Sequence, residues 1–285
     1  LAEAIVALLD EPERADVLAR EARRRVRRQH DLEEAVQALL AVYRRAVTPR
    51  RPEVLSVVIP AFEAERWVGE AVQSATAQAL PPGYEAEVIV VDDGSTDGTI
   101  DAARAASPDV TVLRHCHSRA GGARSTGLAL ATGELVAFLD ADDRWPVDRT
   151  ARLLAALEAQ PDATAAFGHA EEFGGGDGVV ARPAPMEART PNTGLFRREA
   201  VDAVGGWMTE HSGEVVDWMA RFLATDPPIA RVDGVTVERR VHGDNTGRGV
   251  QAQRNRLAVL KEHLDRQRRS AAADAEPAPG DATAP

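Results

Sequence analysis

The sequence predicts an α/β fold in which a Rossmann-like, mostly parallel sheet is flanked by helices, and two observations carry this prediction. Between residues 54 and 139, short apolar runs typical of strands alternate with segments of helical periodicity. The run 135–139 is apolar on both faces, as expected of a strand covered by helices on both sides. Such alternation is typical of β–α–β units, whose ligands bind beyond the carboxyl ends of the strands.

The elements follow one another in a regular order. The first strand, 54–59, is rich in β-branched residues and is stopped by Pro60. The second strand, 87–91, ends in Asp92 and Asp93. The remaining predicted elements are helices at 66–79, 99–106, about 123–131 and from Arg149, and strands at 110–114 and 135–139.

Composition restricts the classes of protein that remain. With 44% hydrophobic and 28% charged residues, the chain is typical of a globular protein. A net charge of -11 argues against nucleic-acid binding, which needs a basic surface. No apolar run approaches the roughly 18 residues of a membrane span, and the single Cys116 excludes an internal disulfide. We therefore expect an intracellular, cytoplasmic protein.

Three regions are predicted along the chain: a helical appendage at 1–48, one α/β domain at 53–265 and a disordered tail at 266–285. Apolar residues recur at helical spacing in the first region, whereas the tail is rich in Ala, Pro, Asp and Gly. The arginine-rich run 23–28 has two interpretations. A solvated helix face is favoured; contact with an acidic partner or anionic lipid would place the protein peripherally at the inner face of a membrane.

An acidic cluster follows the strand at 135–139. Because side chains alternate sides in an extended segment, Asp140 and Asp142 project the same way and can share one ion. Mg²⁺ and Mn²⁺ prefer oxygen ligands and commonly join carboxylates to a substrate's phosphates. A metal–diphosphate site is one interpretation, and a solvated acidic turn before the next helix is the other.

A second acidic turn follows the strand at 87–91. Gly94 permits a sharp turn, and a carboxylate of Asp92 or Asp93 can accept hydrogen bonds from a nucleobase or a ribose hydroxyl. An Asx turn that caps the next helix explains the same residues.

Five segments together resemble a known family. In order they read SVVIPAFEAERWVGEAVQSATAQ, VIVVDDGSTDGT, GGARSTGLALATGELVAFLDADDRW, FRREAVDAVGGWMTE and VERRVHGDNT. This order resembles the family 2 glycosyltransferases, which have the GT-A fold. The resemblance implies inverting transfer of a sugar from a nucleotide-diphosphate sugar to an acceptor hydroxyl, with Mn²⁺ or Mg²⁺ as cofactor. The acceptor would be a glycan, a lipid-linked or a small molecule.

The resemblance also assigns residues to the donor site. It implies that Pro60, Ala61 and Glu63 lie against the nucleoside, although Glu63 replaces the usual Asn. Asp93 matches the carboxylate that reads the base, with Asp92 beside it.

The metal and diphosphate side is assigned in the same way. Arg124 matches an arginine near the donor, although Ser125 stands where Asn is usual. Asp140 and Asp142 match the DxD motif, with Asp142 as the more direct metal ligand. His242 matches a histidine that completes the metal or diphosphate site; a surface-loop histidine is the alternative.

The catalytic base is the least regular position. The resemblance implies a Glu-Asp pair at the start of a helix, but Val215 stands where the Asp is expected. Glu214 is therefore the first candidate for the base and Asp217 the second. Their spacing of three residues puts both on one helix face, where they can also simply complement the helix dipole.

Two other functions remain open. Val215 is compatible with a catalytically silent module that only binds a nucleotide sugar. A sugar nucleotidyltransferase shares the sheet, but the segment after the first strand lacks a Gly-rich phosphate loop.

The first 47 residues resemble the last helices of GT-B glycosyltransferases of the glycogen-synthase-like family, which would make the chain part of a longer two-enzyme polypeptide.

Overall fold

The computed structural model describes residues 54–116, 118–176, 179–209 and 213–243, together with 254, 255, 257–259, 261 and 265. The predicted appendage at 1–48, its resemblance to GT-B enzymes and the predicted tail at 266–285 all lie outside these residues. Among the described residues, no helix combines the length and the apolar character that a membrane span needs.

The first half of the domain alternates strands and helices, as predicted. Its elements are β1 (Val54–Ala61), α1 (Val68–Thr76), β2 (Glu85–Asp92), α2 (Thr99–Ala106), β3 (Thr111–Arg114), α3 (Arg119–Leu130) and β4 (Leu135–Phe138). The four strands pair in parallel in the order β3, β2, β1, β4. The carboxyl ends of these strands therefore lie at one edge of the sheet.

The second half adds strands of both directions. Its elements are α4 (Arg149–Ala159), β5 (Ala165–Gly176), β6 (Val179–Val180), β7 (Met186–Glu187), a short 3-10 helix (Pro191–Thr193), β8 (Gly194–Arg197), α5 (Arg198–Val204), α6 (Glu214–Ala224) and β9 (Ile229–Val241). Strand β8 is antiparallel to both β4 and β5, whereas β9 is parallel to β5. The predicted α/β fold is confirmed, but parallel pairing is limited to β1–β4 and to β9 with β5. A crossover helix is needed only between parallel strands, so β8 can return beside β4 without one.

Both faces of the sheet are covered by apolar packing. In β1, Val57 and Ile59 face a core that includes residues of α1 and α4, whereas Val58 faces a second core with residues of α3 and α6. All three side chains are fully buried. This follows from the alternation of side chains along a strand.

The second core contains a cluster of aromatic rings that fixes α6. Trp218 lies parallel to Trp207 at 4.8 Å between ring centroids and parallel to Phe222 at 5.7 Å. Its indole Nε1 donates to the carbonyl of Gly205 at 3.1 Å. Because Trp218 is completely buried, this packing sets where the first residue of α6 lies.

Helix α3 begins at Arg119, upstream of the predicted start near 123. The first turn of α3 thus contains Gly121 and Gly122, although glycine in general disfavours helices. At Gly121, a Cβ atom would lie 2.0 Å from the carbonyl oxygen of Met208. The glycine is therefore required by the close approach of the segment that leads to α6.

Candidate active site

The candidate site lies at the carboxyl edge of the parallel strands. The end of β1, Ala61, is paired with the end of β2, Asp92, and the backbone N–H of Asp93 donates to the carbonyl of Ala61 at 2.8 Å. On the other side of β1, the N–H of Leu139 donates to the carbonyl of Val58 at 3.0 Å. The two acidic turns that follow β2 and β4 therefore flank the end of β1, where the sequence predicts a ligand.

The turn after β4 contacts three polar side chains from other parts of the chain. Nε2 of His242 lies 3.1 Å from Oδ2 of Asp142. Asp140 accepts from Arg124 at 2.6 Å through Oδ1 and from Asn192 at 3.3 Å through Oδ2. The structure thus places His242, at the end of β9, against the DxD motif, and places Arg124 of α3 against the other carboxylate.

Burial and mutual repulsion act on the carboxyls of this turn. Burial raises the pKa of Asp142, and the charge of Asp140 raises it further, against the opposing effect of His242. Burial, followed by the charges of Asp142 and Asp140, raises the pKa of Asp143 well above its ordinary value. The turn therefore holds acidic groups that repel one another, and a bound cation would relieve this repulsion.

The residues of this turn fit a divalent ion only in part. Carboxylate and imidazole are ligand types that Mn²⁺ accepts. Across the ranges that the structure describes, however, no group of three or more His, Cys, Asp or Glu side chains is arranged to hold a metal by itself. Asp142 and His242 face each other, whereas Asp140 is engaged by Arg124. The donor set suits an ion that takes its remaining ligands from a diphosphate.

Arg124 connects the metal turn to the first candidate base. Its Nη1 lies 3.2 Å from Oε1 of Glu214, while its Nη2 lies 2.6 Å from Oδ1 of Asp140. The guanidinium is buried and lies over the ring of Trp207 at 5.0 Å. Burial alone would lower the pKa of Arg124, but the charges of the two carboxylates outweigh it and raise the pKa. Arg124 is therefore a buried cation shared by two carboxylates.

The structure separates Glu214 from Asp217, the second candidate. Glu214 is the first residue of α6 and faces Arg124. Asp217 forms an ion pair with Arg221, whose Nε donates to it at 2.9 Å. Arg221 also donates to the carbonyls of Val204 and Gly206 at 2.6 and 2.8 Å. Asp217 thus belongs to the anchor of α6, and Glu214 lies next to the DxD motif.

The turn after β2 gives its two aspartates different surroundings. Asp92 accepts from the backbone N–H of Ser95 at 3.2 and 3.3 Å, which is the Asx-turn arrangement. Asp93, which is 2% exposed, accepts through Oδ1 from the backbone N–H of Ser118 at 2.8 Å. Asp92 shapes the turn, and Asp93 is held against the residue that precedes α3.

Glu63 links the loops that follow β1 and β2. Its Oε1 accepts from the backbone N–H and the hydroxyl of Thr96 at 2.8 and 3.0 Å. Its own N–H donates to the hydroxyl of Ser95 at 2.9 Å. The backbone of Glu63 has a φ of +49°, in the left-handed region that favours glycine. Glu63 therefore ties the loop after β1 to the loop after β2, whereas Pro60 and Ala61 form the buried end of β1 beside it.

Several residues of the site escape sequence analysis. Asn192 donates to both Asp140 and Asp143, the latter at 3.1 Å, and lies in a segment without periodic pattern. The ring of Trp67 lies 5.6 Å from the ring of His242. Of the residues that the resemblance did not assign, only Asp143 could be recognised from the sequence, because it extends the acidic run after β4.

Together these features describe an α/β protein with a cluster of charged side chains at the carboxyl ends of its parallel strands. Residues 56–212, more than half of the chain, match the family model described as glycosyl transferase family 2. The chain belongs to this family.

Curated relatives match over limited segments. The chain is 32% identical over 130 residues to the uncharacterized glycosyltransferase alr2836 of Nostoc sp., a match that covers 44% of this chain and 39% of the relative. It is 36% identical over 106 residues to the putative teichuronic acid biosynthesis glycosyltransferase TuaG of Bacillus subtilis, covering 35% and 40%. The chain thus spans about two fifths of the length of these two relatives.

Solved structures share the fold. S. aureus TarS in complex with UDP-GlcNAc superposes with a TM-score of 0.61 at 18% identity, over 73% of this chain and 65% of that chain. The mannosyltransferase PcManGT of Pyrobaculum calidifontis, in complex with GDP-Man and Mn²⁺, gives 0.54 at 23% identity, over 87% and 74%. The predicted GT-A fold is thereby confirmed; at these identities the likeness concerns the fold alone.

Proposed function

We propose that the protein transfers a sugar, with inversion, from a nucleotide-diphosphate sugar to an acceptor hydroxyl, assisted by Mn²⁺ or Mg²⁺. The observation that carries this proposal is the position of Arg124 between Asp140 of the DxD motif and Glu214. It brings a candidate donor site and a candidate base within one ion-pair network around a buried arginine.

The donor side of the proposal uses the two tied loops and the DxD turn. Asp93 reads the base or ribose beside Asp92, and Pro60, Ala61 and Glu63 lie along the nucleoside. Asp142 and His242 hold the metal, with Asp140 directed toward the donor. In support, TarS and PcManGT share the fold and were solved with UDP-GlcNAc and with GDP-Man and Mn²⁺, respectively. When bound, the divalent ion supplies positive charge that stabilises the departing diphosphate.

The chemical step is assigned to Glu214. As the acceptor oxygen attacks the anomeric carbon, the carboxylate of Glu214 removes the acceptor's proton. The ion pair with Arg124 fixes the direction of this carboxylate, as a base needs in order to reach one hydroxyl. Asp217 is assigned the structural task of anchoring α6 through Arg221.

The first experiment tests the metal at the donor site. UDP- and GDP-sugars are titrated into the protein with Mn²⁺, with Mg²⁺ and with chelator. We expect much tighter binding with metal, and Asp142→Ala should remove the difference because it removes a ligand charge. Asp148→Ala, an aspartate that is 61% exposed at the side chain a few residues further on, is the control. Equal donor affinity with and without metal contradicts the proposal.

The second experiment tests the base. Glu214→Gln keeps shape and hydrogen bonding but not basicity, so turnover should fall by about 10² to 10⁴ while donor affinity stays the same. Asp217→Asn should reduce stability more than turnover. Glu199→Gln, an exposed acidic residue in the first turn of α5, is the matched control. If Asp217→Asn reduces turnover more than Glu214→Gln, the assignment is reversed.

A second candidate function is a module that binds a nucleotide sugar without transferring it. Val215, at the position where the family resemblance implies an aspartate, favours this alternative. Metal-dependent donor binding without transfer or donor hydrolysis, unchanged by Glu214→Gln, would establish it.

The acceptor is proposed at the level of a class: a glycan, a lipid-linked molecule or a small molecule. One relative, WfaP of Escherichia coli, 29% identical over 110 residues, is named a glucosyltransferase acting on GlcNAc-diphosphoundecaprenol. A lipid-linked acceptor would bring a cytoplasmic protein to the inner face of the membrane. An acceptor panel with and without a lipid diphosphate distinguishes these classes.

A further inference from the structure

A cluster of charged and aromatic side chains lies next to the DxD turn and has no role in the donor binding and proton removal proposed above. We name it the Arg240 cluster. It consists of Trp67, Glu70, Arg144, Phe173 and Arg240. Its members come from the loop after β1, α1, the loop after β4, β5 and β9, so it joins five separate parts of the chain.

Arg240 forms two hydrogen bonds with residues of the DxD turn. Its backbone N–H donates to Oδ1 of Asp143 at 2.8 Å. Its side-chain Nε donates to the backbone carbonyl of Asp142 at 3.1 Å. Arg240 also lies two residues before His242, which directly follows the last residue of β9. One residue therefore fixes the backbone that carries Asp142 and the chain that carries His242.

The guanidinium of Arg240 is itself held on several sides. Glu70 accepts from Nη2 of Arg240 through one oxygen and from Nη1 of Arg144 at 2.6 Å through the other. Arg240 lies 4.4 Å from the ring centroid of Trp67 and 4.5 Å from that of Phe173. Its side chain is only 13% exposed. The planar guanidinium meets all these contacts at once, which a lysine ammonium cannot do.

Glu70 is the acid that completes this arrangement. Burial alone would raise the pKa of Glu70, but hydrogen bonds and the charges of Arg144 and Arg240 lower it below its ordinary value. Arg144 is held in turn by Glu238 of β9 through both side-chain and backbone hydrogen bonds. The cluster therefore ties β9 to α1 and to the DxD turn.

We infer that Arg240, held by Glu70, is a positioning residue that orients Asp142 and His242 toward the metal–diphosphate. Its backbone N–H donates to Asp143 and its Nε donates to the backbone carbonyl of Asp142. The carboxylate of Asp142 and the imidazole of His242 face each other. This inference rests on the proposed function, since it requires that these two residues bind the metal. A merely structural role would lower stability and leave the metal requirement unchanged.

The test measures the Mn²⁺ concentration that half-saturates UDP binding, followed by calorimetry. The variants are Arg240→Gln, Arg240→Lys and Glu70→Gln. The control is Arg231→Gln, on the same strand, whose side chain is 64% exposed and pairs with Glu187. We expect Arg240→Gln to raise the required Mn²⁺ by about tenfold, the size of effect that residues supporting metal ligands have. Arg240→Lys and Glu70→Gln should each raise it about threefold, because each keeps part of the network.

UDP binding in the presence of chelator provides the second readout. It should be the same in the parent protein and in all four variants, because Glu63 and Asp93, which are assigned to the nucleoside, are fixed by Thr96 and Ser118. With Mn²⁺ and donor saturating, Arg240→Gln should regain most of the parental turnover. If Arg240→Gln proves unstable, the same comparison is made with Arg240→Lys.

The outcomes separate this inference from the proposed function. If the parent protein binds UDP more tightly with Mn²⁺ but Arg240→Gln and Arg240→Lys need no more Mn²⁺ than Arg231→Gln, the positioning role is overturned and the proposed function stands. If the parent protein shows no effect of Mn²⁺ on UDP binding, both are overturned.

Discussion

Replacement of Arg124 tests whether the site depends on one buried cation. In Arg124→Met the side chain keeps much of its length and apolar stem but loses its charge. Asp140 and Glu214, which both accept from this guanidinium, then share a confined space without a counter-charge. We expect lower stability together with lower turnover.

The size of the effect follows from the exposure of the three groups. Removal of one partner of a fully buried ion pair costs about 3 to 5 kcal/mol. The side chain of Arg124 is 5% exposed, but those of Asp140 and Glu214 are 36% and 17% exposed, so water compensates part of the loss. We therefore expect the free energy of unfolding to fall by about 2 to 3 kcal/mol. Arg124→Lys, which keeps the charge but not the fork of donors, should lie between the parent and Arg124→Met.

Denaturant unfolding at pH 7 measures this effect, with Arg231→Met as the matched control. Arg231 pairs with Glu187 near the surface, where the side chains are 64% and 54% exposed. A surface pair of this kind contributes about 0 to 1 kcal/mol. A double-mutant cycle of Arg124→Met with Glu214→Gln should give a coupling energy of about 1 to 2 kcal/mol.

Two results would refute the reasoning. One is an unfolding free energy of Arg124→Met within about 0.5 kcal/mol of the parent, which is the usual range of surface substitutions. The other is a coupling energy of zero with Glu214, because the ion pair would then carry no weight in the folded protein.

Two further predictions concern the surroundings of the site. Gly121→Ala should displace the segment before α6 and reduce turnover in a transfer assay, because the added Cβ would lie 2.0 Å from the carbonyl oxygen of Met208. The control Gly69→Ala, whose added Cβ would lie 3.7 Å from its nearest neighbour, should be nearly neutral. Glu70→Gln should reduce stability by less than about 1 kcal/mol, since Glu70 is 39% exposed at the side chain. Because the folded-state pKa of Glu70 is lowered, its contribution is present above the ordinary value of 4.5 and is lost as the pH falls below it. Unfolding curves of parent and Glu70→Gln should therefore differ at pH 6 and converge toward pH 3, and a difference that grows with acid would show that the carboxylate does not stabilise the fold.

The fold was predictable where its signals are local. Apolar runs and helical periodicity alternate within 54–139, and each run became a strand of the parallel half. The strands of the second half were not assigned, because β5 and β9 mix apolar with charged residues and two of the remaining strands have only two residues. Their places in the sheet depend on pairing between distant segments, which leaves no periodic pattern in the sequence.

The candidate site was also predictable only where its signals are local. Asp140 and Asp142 stand two residues apart in an acidic run that follows a predicted strand, so the sequence alone marks them. Because β4 already ends at Phe138, the alternation of side chains along a strand does not apply to them, and the structure pairs Asp140 with Arg124 and Asp142 with His242. The contact between Arg124 and Glu214 joins residues 90 positions apart. It exists because the aromatic rings around Trp218 hold α6 against α3, and glycine at 121 admits the connecting segment. No spacing rule contains this information, and only the family resemblance indicated that Arg124 belongs to the site.

The two candidate bases show why residue type and spacing leave roles open. Glu214 and Asp217 share a helix face, and both complement the helix dipole. Asp217, however, has an arginine one turn later, and Arg221 holds it against the carbonyls that end α5. Glu214 has no such neighbour within α6 and lies at the open end of the helix, where Arg124 from another helix meets it. The difference between the two acids therefore comes from their arginine partners: Arg221 ties Asp217 into the anchor of α6, whereas Arg124 joins Glu214 to Asp140 of the DxD motif.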